Sequence, residues 1–154
     1  MSAAANPFNT PLETGIRLVI LLAEAYPNLF SLDRLVMLDH ILVHTSDFGG
    51  PASVHPPSPY RVAEPYVRRE LVQRSLILFR TRALVREIPT SEGFLWQAGE
   101  PAAPFVECLT TQYHKLLRAR ANWTIENFGA ASDTQLASAM GERVVSAIGV
   151  EVNP

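Results

Sequence analysis

The densest group of side chains suited to chemistry in this sequence is Asp39, His40, His44, Asp47 and His55, within which a metal ion could bind. His40 and His44 are four residues apart, so on a helix they would share one face and could combine with a ligand from the following loop. The pair lacks the glutamate that completes the helical metalloprotease motif. We therefore interpret these histidines as surface or capping residues, and we predict no metal and no cofactor.

A second candidate for chemistry is a nucleophile and base formed by Cys108, His114 and Glu107. Six residues separate Cys108 from His114 on a predicted helix, and this offset points their side chains away from each other. We predict that Cys108 is a small buried residue and that His114 lies on the helix surface. The sequence thus indicates no catalytic residue, and we expect a protein that is not an enzyme.

Arginine dominates the cationic side chains, since twelve of the thirteen basic residues are arginine. Seven of them fall in residues 61–86, opposed there only by Glu64 and Glu70, so this segment carries +5 and the rest of the chain −7. The guanidinium group binds phosphates and carboxylates in a two-pronged geometry. The candidate contact residues, either for a nucleic acid or for carboxylates of a partner protein, are Arg61, Arg68, Arg69 and Arg74. An isoelectric point near 6.1 favours the protein partner.

The elements that position these residues belong to one folded domain. The chain has 154 residues, of which 47% are hydrophobic and 18% charged, a composition that excludes a disordered protein. Its longest apolar run, Leu18 to Ala23, is far shorter than the roughly 20 residues of a membrane-spanning helix. The first six residues do not resemble a secretion signal, and one cysteine cannot form an internal disulfide. We expect a cytoplasmic protein without membrane contact.

Two capped helices are predicted after an N-terminal arm, residues 1–10. Thr10-Pro11-Leu12-Glu13 is typical of a helix start, and the helix should end near Ala25 before Pro27. Apolar residues cover most of its surface, which leaves a narrow strip around Arg17 and Glu24 for water. Ser31 should cap a second helix that ends near His44.

The segment from Thr45 to Tyr60 holds two glycines and four prolines, a composition that favours a stiff, extended loop. Long loops in small domains are commonly functional. We predict that this loop contacts a partner through Phe48, Pro51, His55, Pro56 and Pro57.

A third helix should run from Pro65 to about Arg82, with Val67, Leu71 and Leu78 directed inward and Ser75 as a fourth candidate. Residues 84–98 then predict a β-hairpin whose turn lies around residues 89–93. Three helices followed by a hairpin is the order of a winged helix. The predicted fold is therefore mainly α, with a winged-helix-like core over residues 11–98.

A long fourth helix is predicted from Pro101 to Phe128, within a C-terminal extension over residues 101–148. One seam with helical spacing follows its length: Ala102, Phe105, Leu109, Gln112, Leu116, Ala119 and Trp123. This seam either covers the core of the same chain or binds a partner. For the second case we predict contacts through Phe105, Leu109, Leu116 and Trp123. A short fifth helix over residues 130–148 and an irregular tail, residues 149–154, complete the chain.

Several strings of residues resemble a known family. They are Phe8-Asn9-Thr10-Pro11-Leu12-Glu13-Thr14-Gly15, residues 33–39 (DRLVMLD), residues 43–51 (VHTSDFGGP), residues 55–57 (HPP) and residues 67–72 (VRRELV). Together they are similar to the middle component of bacterial ABC-three-component systems, from Phe8 to about Phe128 and more loosely beyond. Such systems resemble the Lamassu group of anti-phage and anti-plasmid defences.

The resemblance implies a non-enzymatic adaptor subunit that links an SMC- or ABC-type ATPase to an effector, in many cases a nuclease. It implies no catalytic residue. The partners expected are that ATPase and effector, with DNA contacted through the complex and a homodimer formed in isolation. The alternative is a winged-helix transcription regulator that binds DNA through Arg68, Arg69 and Arg74, with the hairpin as its wing and the fourth helix as its dimer seam.

Overall fold

The computed structural model describes residues 9–56 and 64–147, with side chains described for residues 9–56 and 68–141. The described elements are α1 (Pro11–Ala25), α2 (Leu32–Val43), a 3-10 turn (Thr45–Phe48), α3 (Glu64–Arg80), β1 (Val85–Thr90), β2 (Gly93–Ala98), α4 (Ala102–Glu107), α5 (Gln112–Phe128) and α6 (Asp133–Ala147). The predicted class, mainly helical with one β-hairpin, is confirmed. Residues 1–8 of the predicted arm and the whole predicted tail lie outside the described residues.

The first two helices begin where their capping residues predict. The Thr10 hydroxyl accepts a hydrogen bond from the Glu13 backbone N–H at 3.2 Å, and Pro11 is the first helical residue. The Ser31 hydroxyl accepts in the same way from the Arg34 N–H at 3.1 Å. Each cap satisfies a backbone donor that the helix itself leaves open. The predicted starts of both helices are confirmed.

Helix α1 is the centre of the core. It packs against α3, α5, α4 and β2, and its residues from Leu18 to Leu22 are all buried. The other helices contribute Leu38 from α2, Leu76 from α3 and Leu117 from α5. Within the described part of the chain, no helix combines the length and apolar character needed to cross a bilayer.

Helix α3 buries a different stripe from the one predicted. Val72, Ser75, Leu76 and Phe79 are buried, whereas Leu78 is 43% exposed. Ser75, Leu76 and Phe79 follow Val72 by three, four and seven residues, so they share its face of α3. Leu78 falls outside this face and is directed toward solvent. The prediction for Ser75 is confirmed, that for Leu78 is wrong, and Leu71 is half-buried. Val67 lies outside the described side chains.

The predicted hairpin is confirmed. Its strands pair antiparallel from Val85 opposite Ala98 to Thr90 opposite Gly93, so Ser91 and Glu92 form a two-residue turn. The outer edge of β2 is partly covered, because Trp96 and Phe30 exchange both backbone hydrogen bonds at 2.8 and 2.9 Å. The order of elements is that of a winged helix, but the likeness to that fold stays a prediction.

The prediction of one long helix from Pro101 to Phe128 is wrong. Helix α4 ends at Glu107, and α5 begins at Gln112 with Thr111 as its N-terminal cap. The Thr111 hydroxyl accepts from the His114 backbone N–H at 3.1 Å, so it starts a new helix instead of continuing the old one. Cys108 lies in this break and is exposed, contrary to the prediction that it is buried.

Helix α6 begins at Asp133, next to the Ser132-Asp133 start that the sequence predicts, after a reciprocal cap. The Ser132 hydroxyl accepts from the Gln135 N–H at 3.1 Å, and the Gln135 side chain accepts from the Ser132 N–H at 2.8 Å. Leu136 is fully buried and packs α6 on the core. Arg34 of α2 donates to Asp133 at 2.9 Å and to the Gly129 carbonyl at 2.6 Å. These bonds join α2 to the α5–α6 corner.

Candidate functional site

The densest arrangement of charged side chains is a buried cluster centred on Asp39. Arg17 donates to both carboxylate oxygens, from Nε to Oδ1 at 2.8 Å and from Nη2 to Oδ2 at 3.1 Å. Arg68 donates from Nη1 to Oδ2 at 2.6 Å. Arg17 also donates to the Thr14 hydroxyl at 3.3 Å. One carboxylate therefore receives three charge-assisted hydrogen bonds from two arginines.

This Asp39 cluster joins three helices. Arg17 belongs to α1, Asp39 to α2 and Arg68 to α3, and these side chains are 0–4% exposed. Groups so fully enclosed do not reach a ligand in solution. The cluster fixes the relative positions of the three helices, which makes it a determinant of the fold.

Electrostatics favour the charged forms of Asp39 and Arg17. Burial by itself raises the pKa of Asp39, but the charges and hydrogen bonds of Arg17 and Arg68 outweigh it and hold that pKa well below its usual range. Burial likewise opposes the charge on Arg17, and Asp39 more than compensates, so the pKa of Arg17 is raised. The cluster holds one negative and two positive charges.

His55 lies beside this positive excess. Burial, and after it the charge of Arg17, lowers the pKa of His55 to about 4, so the ring is neutral at pH 7. Its ring centroid is 6.2 Å from that of His44, which in turn is 4.7 Å from that of His40. His44 is the C-terminal cap residue of α2 as predicted, but both His44 and His55 are buried, which corrects the expectation of a surface position.

The part of the predicted loop that the structure describes, residues 45–56, is not an extended excursion. It begins with the 3-10 turn, and the Val54 and His55 N–H groups both donate to the Val43 carbonyl. Phe48 and Pro51 are half-buried, and the Phe48 ring lies 6.0 Å from that of Phe128. The segment folds back because buried contacts with α2 and α5 outweigh the stiffness of its prolines.

The predicted contact residues of the loop therefore divide. His55 is buried, Phe48 and Pro51 contact their own chain, and Pro56 is exposed. Pro57 lies outside the described residues. As a surface for a partner, the described part of this loop offers the exposed residues Ser46, Gly49, Ala52 and Pro56 and the exposed portions of its half-buried residues.

The seam predicted along the fourth helix is divided by the break between α4 and α5. Phe105, Leu109 and Trp123 are partly buried against the core, and Leu116 is 37% exposed. A side chain at Gly50 would lie 2.5 Å from the Trp123 ring, so the loop and α5 are in close contact there. On α5 the buried positions are Leu117, Ala121 and Thr124, one or two residues on from the predicted seam, whose members Gln112, Leu116 and Ala119 are exposed. Part of the seam thus packs on the core of its own chain, and the contact of the seam with a partner stays a prediction.

The arginines proposed as contacts bind carboxylates of the same chain. Arg68 is buried against Asp39, which corrects its prediction as a surface contact. Arg69 donates to Asp33 at 2.8 Å, and Arg74 donates to Glu70 at 2.8 Å. These last two pairs are exposed. Arg61 lies outside the described residues.

Two parts of the site were missed by the sequence analysis. Arg17 was assigned to the solvent strip of α1, although a lone arginine among large apolar residues is itself a sign of a buried charge with a partner. The approach of Tyr113 to Glu13 was also missed. Burial, followed by the hydrogen bond and charge of Glu13, raises the pKa of the Tyr113 hydroxyl. Because Tyr113 and Glu13 come from distant parts of the sequence, no local pattern could have paired them.

Comparison with known proteins identifies the family. Residues 7–149 match the family described as ABC-three component (ABC-3C) system Middle Component 2. The chain belongs to this family. The link of this middle component to the Lamassu group stays a prediction. No curated protein and no protein of solved structure gives a significant match.

The strings that resemble the middle component meet at the Asp39 cluster. Thr14, Asp39, His44, His55 and Arg68 come from five such strings, and all of them are buried. In the middle component these strings thus specify how α1, α2, α3 and the loop pack together. The surfaces that bind partners are to be sought among exposed residues, inside these strings or outside them.

Proposed function

We propose that this middle component is a non-enzymatic adaptor that joins an SMC- or ABC-type ATPase to an effector protein. The complex would act in the cytoplasm as a defence against phages or plasmids. The observation that carries the proposal is the family match over residues 7–149, because a middle component belongs to a system of three components. Partnership with the other two components follows from that membership.

The architecture supports this role. A protein that holds two partners in a fixed relation needs a rigid frame, and the Asp39 cluster supplies one by joining three helices inside the core. Exposed apolar side chains lie toward both ends of α1, with Leu12 at 62% and Tyr26 at 63% exposure. Fourteen helical residues span about 20 Å, which is room for two separate contacts. Exposed apolar surface of this kind commonly marks an interface.

The alternative of a DNA-binding regulator loses its main support. It relied on Arg68, Arg69 and Arg74, of which Arg68 is buried and the other two already pair with carboxylates of α2 and α3. A recognition helix needs arginines free to reach phosphates and bases. The DNA-binding role therefore enters as an outcome of the test.

Co-expression with the other two components of the system tests the adaptor role. We expect all three to elute together in size-exclusion chromatography, and Leu12→Asp and Tyr26→Asp each to remove a different component. Arg118→Glu, on the exposed face of α5, is the matched control and should leave the complex intact. Failure of the wild-type protein to elute with either component contradicts the proposal. Binding of the isolated protein to duplex DNA with a steep salt dependence would favour the regulator instead.

A further inference from the structure

An open cavity of about 470 Å³ lies between the end of α3 and the hairpin, well away from the Asp39 cluster. Its lining residues are Arg80, Ala83, Val85, Arg86, Glu87 and Phe94. Its size falls within the range of about 300–1,000 Å³ that is typical of ligand-binding clefts. The combination of basic and apolar side chains limits what can occupy it.

The basic side chains around the cavity are not all engaged. Arg80 donates to Glu87, which neutralises one positive charge. Arg86 is exposed and forms no ion pair with a residue of the described ranges. Arg80 and Arg86 together leave one positive charge in excess of Glu87 in the lining. An exposed guanidinium group without an ion pair favours binding of a carboxylate or a phosphate.

The apolar part of the cavity is also incompletely covered. Phe94 is 63% exposed near the tip of the hairpin, directly across from Pro89. Aromatic and arginine side chains side by side are the residue types enriched at the energetic centres of protein interfaces.

We infer that this cavity binds an acidic peptide segment of another component, with a large apolar side chain seated against Phe94 and a carboxylate paired with Arg86. The inference deepens the proposed adaptor function and rests on it. Charge complementarity selects an acidic occupant, and the apolar lining selects a peptide over a nucleic acid.

Side-chain docking fits this surface better than the addition of a strand. Trp96 exchanges its backbone hydrogen bonds with Phe30, so it forms none with Glu87, its partner on β1. Glu87 and, two residues on, Pro89 therefore direct their backbone groups to the outer edge of β1. Pro89 has no N–H to donate there, and charged side chains at 86 and 87 discourage a further strand. The segment should therefore be held mainly by its side chains.

The test uses the full chain co-expressed with the other two components. We expect Arg86→Glu and Phe94→Ser each to lower recovery of one component about tenfold or more, since each removes a central contact. Two matched controls should keep the wild-type recovery of that component. They are Arg118→Glu, an equal charge reversal on α5, and Phe94→Leu, which keeps an apolar side chain. Thermal unfolding followed by circular dichroism verifies that the variants are folded, as exposed positions should allow.

Overlapping peptides from the two other components identify the occupant. We expect the isolated protein to bind an acidic peptide with a large apolar residue, and to lose it when the carboxylates are changed to amides or when Arg86 is changed to glutamate. Unchanged recovery with Arg86→Glu and Phe94→Ser would overturn this inference and leave the adaptor function standing. Arg86-dependent binding of duplex DNA would also overturn it. If the wild-type protein recovers neither component, the adaptor function and this inference both fall.

Discussion

Asp39 shows how one carboxylate can determine the arrangement of a helical core. Burying two arginines and an aspartate costs free energy, and their mutual attraction compensates for it only because three hydrogen bonds have good geometry. We expect the gain to be in specificity, because a packing of α1, α2 and α3 that separated Asp39 from Arg17 or Arg68 would leave a buried charge unpaired. Removing one charged side chain alone should therefore destabilise the protein by far more than the intact cluster stabilises it.

Asp39→Asn tests this at the level of one residue. The variant leaves two arginines buried without a negative charge, so we expect a loss of about 3–5 kcal/mol in the free energy of unfolding. Asp33→Asn is the control, since it removes an exposed carboxylate of the same helix that pairs with Arg69. We expect that change to cost at most about 1 kcal/mol. Urea unfolding measures both, and equal losses would contradict the central position of Asp39.

His55 should make stability depend on pH in a defined window. Its pKa is about 4 in the folded protein and about 6.5 in the unfolded chain, so between these values the unfolded chain binds the additional proton. Stability should therefore fall as the pH decreases from about 6.5 to about 4, by on the order of 3 kcal/mol. The lowered pKa of Asp39 contributes a loss only below its unfolded value of about 3.9.

The measurement is the free energy of unfolding as a function of pH for the wild-type protein and for His55→Gln. The variant should lose most of the slope between pH 4 and 6.5. A His114→Gln control, which changes an imidazole outside the buried cluster, should keep it. An unchanged slope in His55→Gln would show that the His55 ring is not the group that takes up the proton.

Helix packing at the level of elements depends on a close approach between α1 and α3. The Cβ atom of a side chain at Gly15 would lie 2.1 Å from the Phe79 ring, closer than two non-bonded atoms can approach. Since Phe79 is itself buried, its ring cannot swing into solvent. Glycine is thus required at this position for its lack of a side chain, although it lowers the intrinsic preference of α1 for a helix.

Gly15→Ala should therefore destabilise the protein by about 2 kcal/mol, the cost of forcing extra volume into a packed core. Gly141→Ala makes the same substitution in α6, where no atom lies within 4 Å of the added methyl group. There the better helix propensity of alanine should stabilise the protein by about 0.5–1 kcal/mol. Thermal or urea unfolding would reveal opposite signs, and a stabilising Gly15→Ala would refute the close approach.

The elements that the sequence predicts correctly are those whose signals are local. Thr10, Ser31 and the turn at residues 91–92 determine their surroundings within a few residues, and each element lies where expected. The sequence does not predict the break before α5 because the seam through Leu109 and Gln112 keeps helical spacing across it, and only the capping bond of Thr111 reveals the new start. The pairing of Arg17 with Asp39 was not predicted because it joins separate helices, which one-dimensional periodicity does not encode.

At the scale of the whole molecule, the described helices do not contribute equally to the core. Helix α1 is surrounded by other elements, whereas α6 packs on α2 through the buried Leu136 and the hydrogen bonds of Arg34. An element held on one side opens more easily than one enclosed on all sides. The middle component should thus have a stable centre and a less stable C-terminal helix.

Hydrogen exchange should resolve this difference. We expect amides of α6 to exchange through a local opening of lower free energy than those of α1. Arg34→Ala should speed the exchange of α6 and leave α1 unchanged, because it removes the bonds to Asp133 and Gly129. Arg118→Ala, which removes an exposed arginine of α5, should affect neither. Uniform acceleration in Arg34→Ala would mean that α6 unfolds only together with the core.

The exposed Cys108 gives the break between α4 and α5 a practical consequence. It is the one thiol in 154 residues, so a maleimide dye or spin label attaches at a single defined corner of the natural protein without further substitution. A label there reports the distance to a second label on a partner as the complex forms. The same accessibility means that purification under air can join two copies through an intermolecular disulfide, which a reducing agent in the buffer prevents.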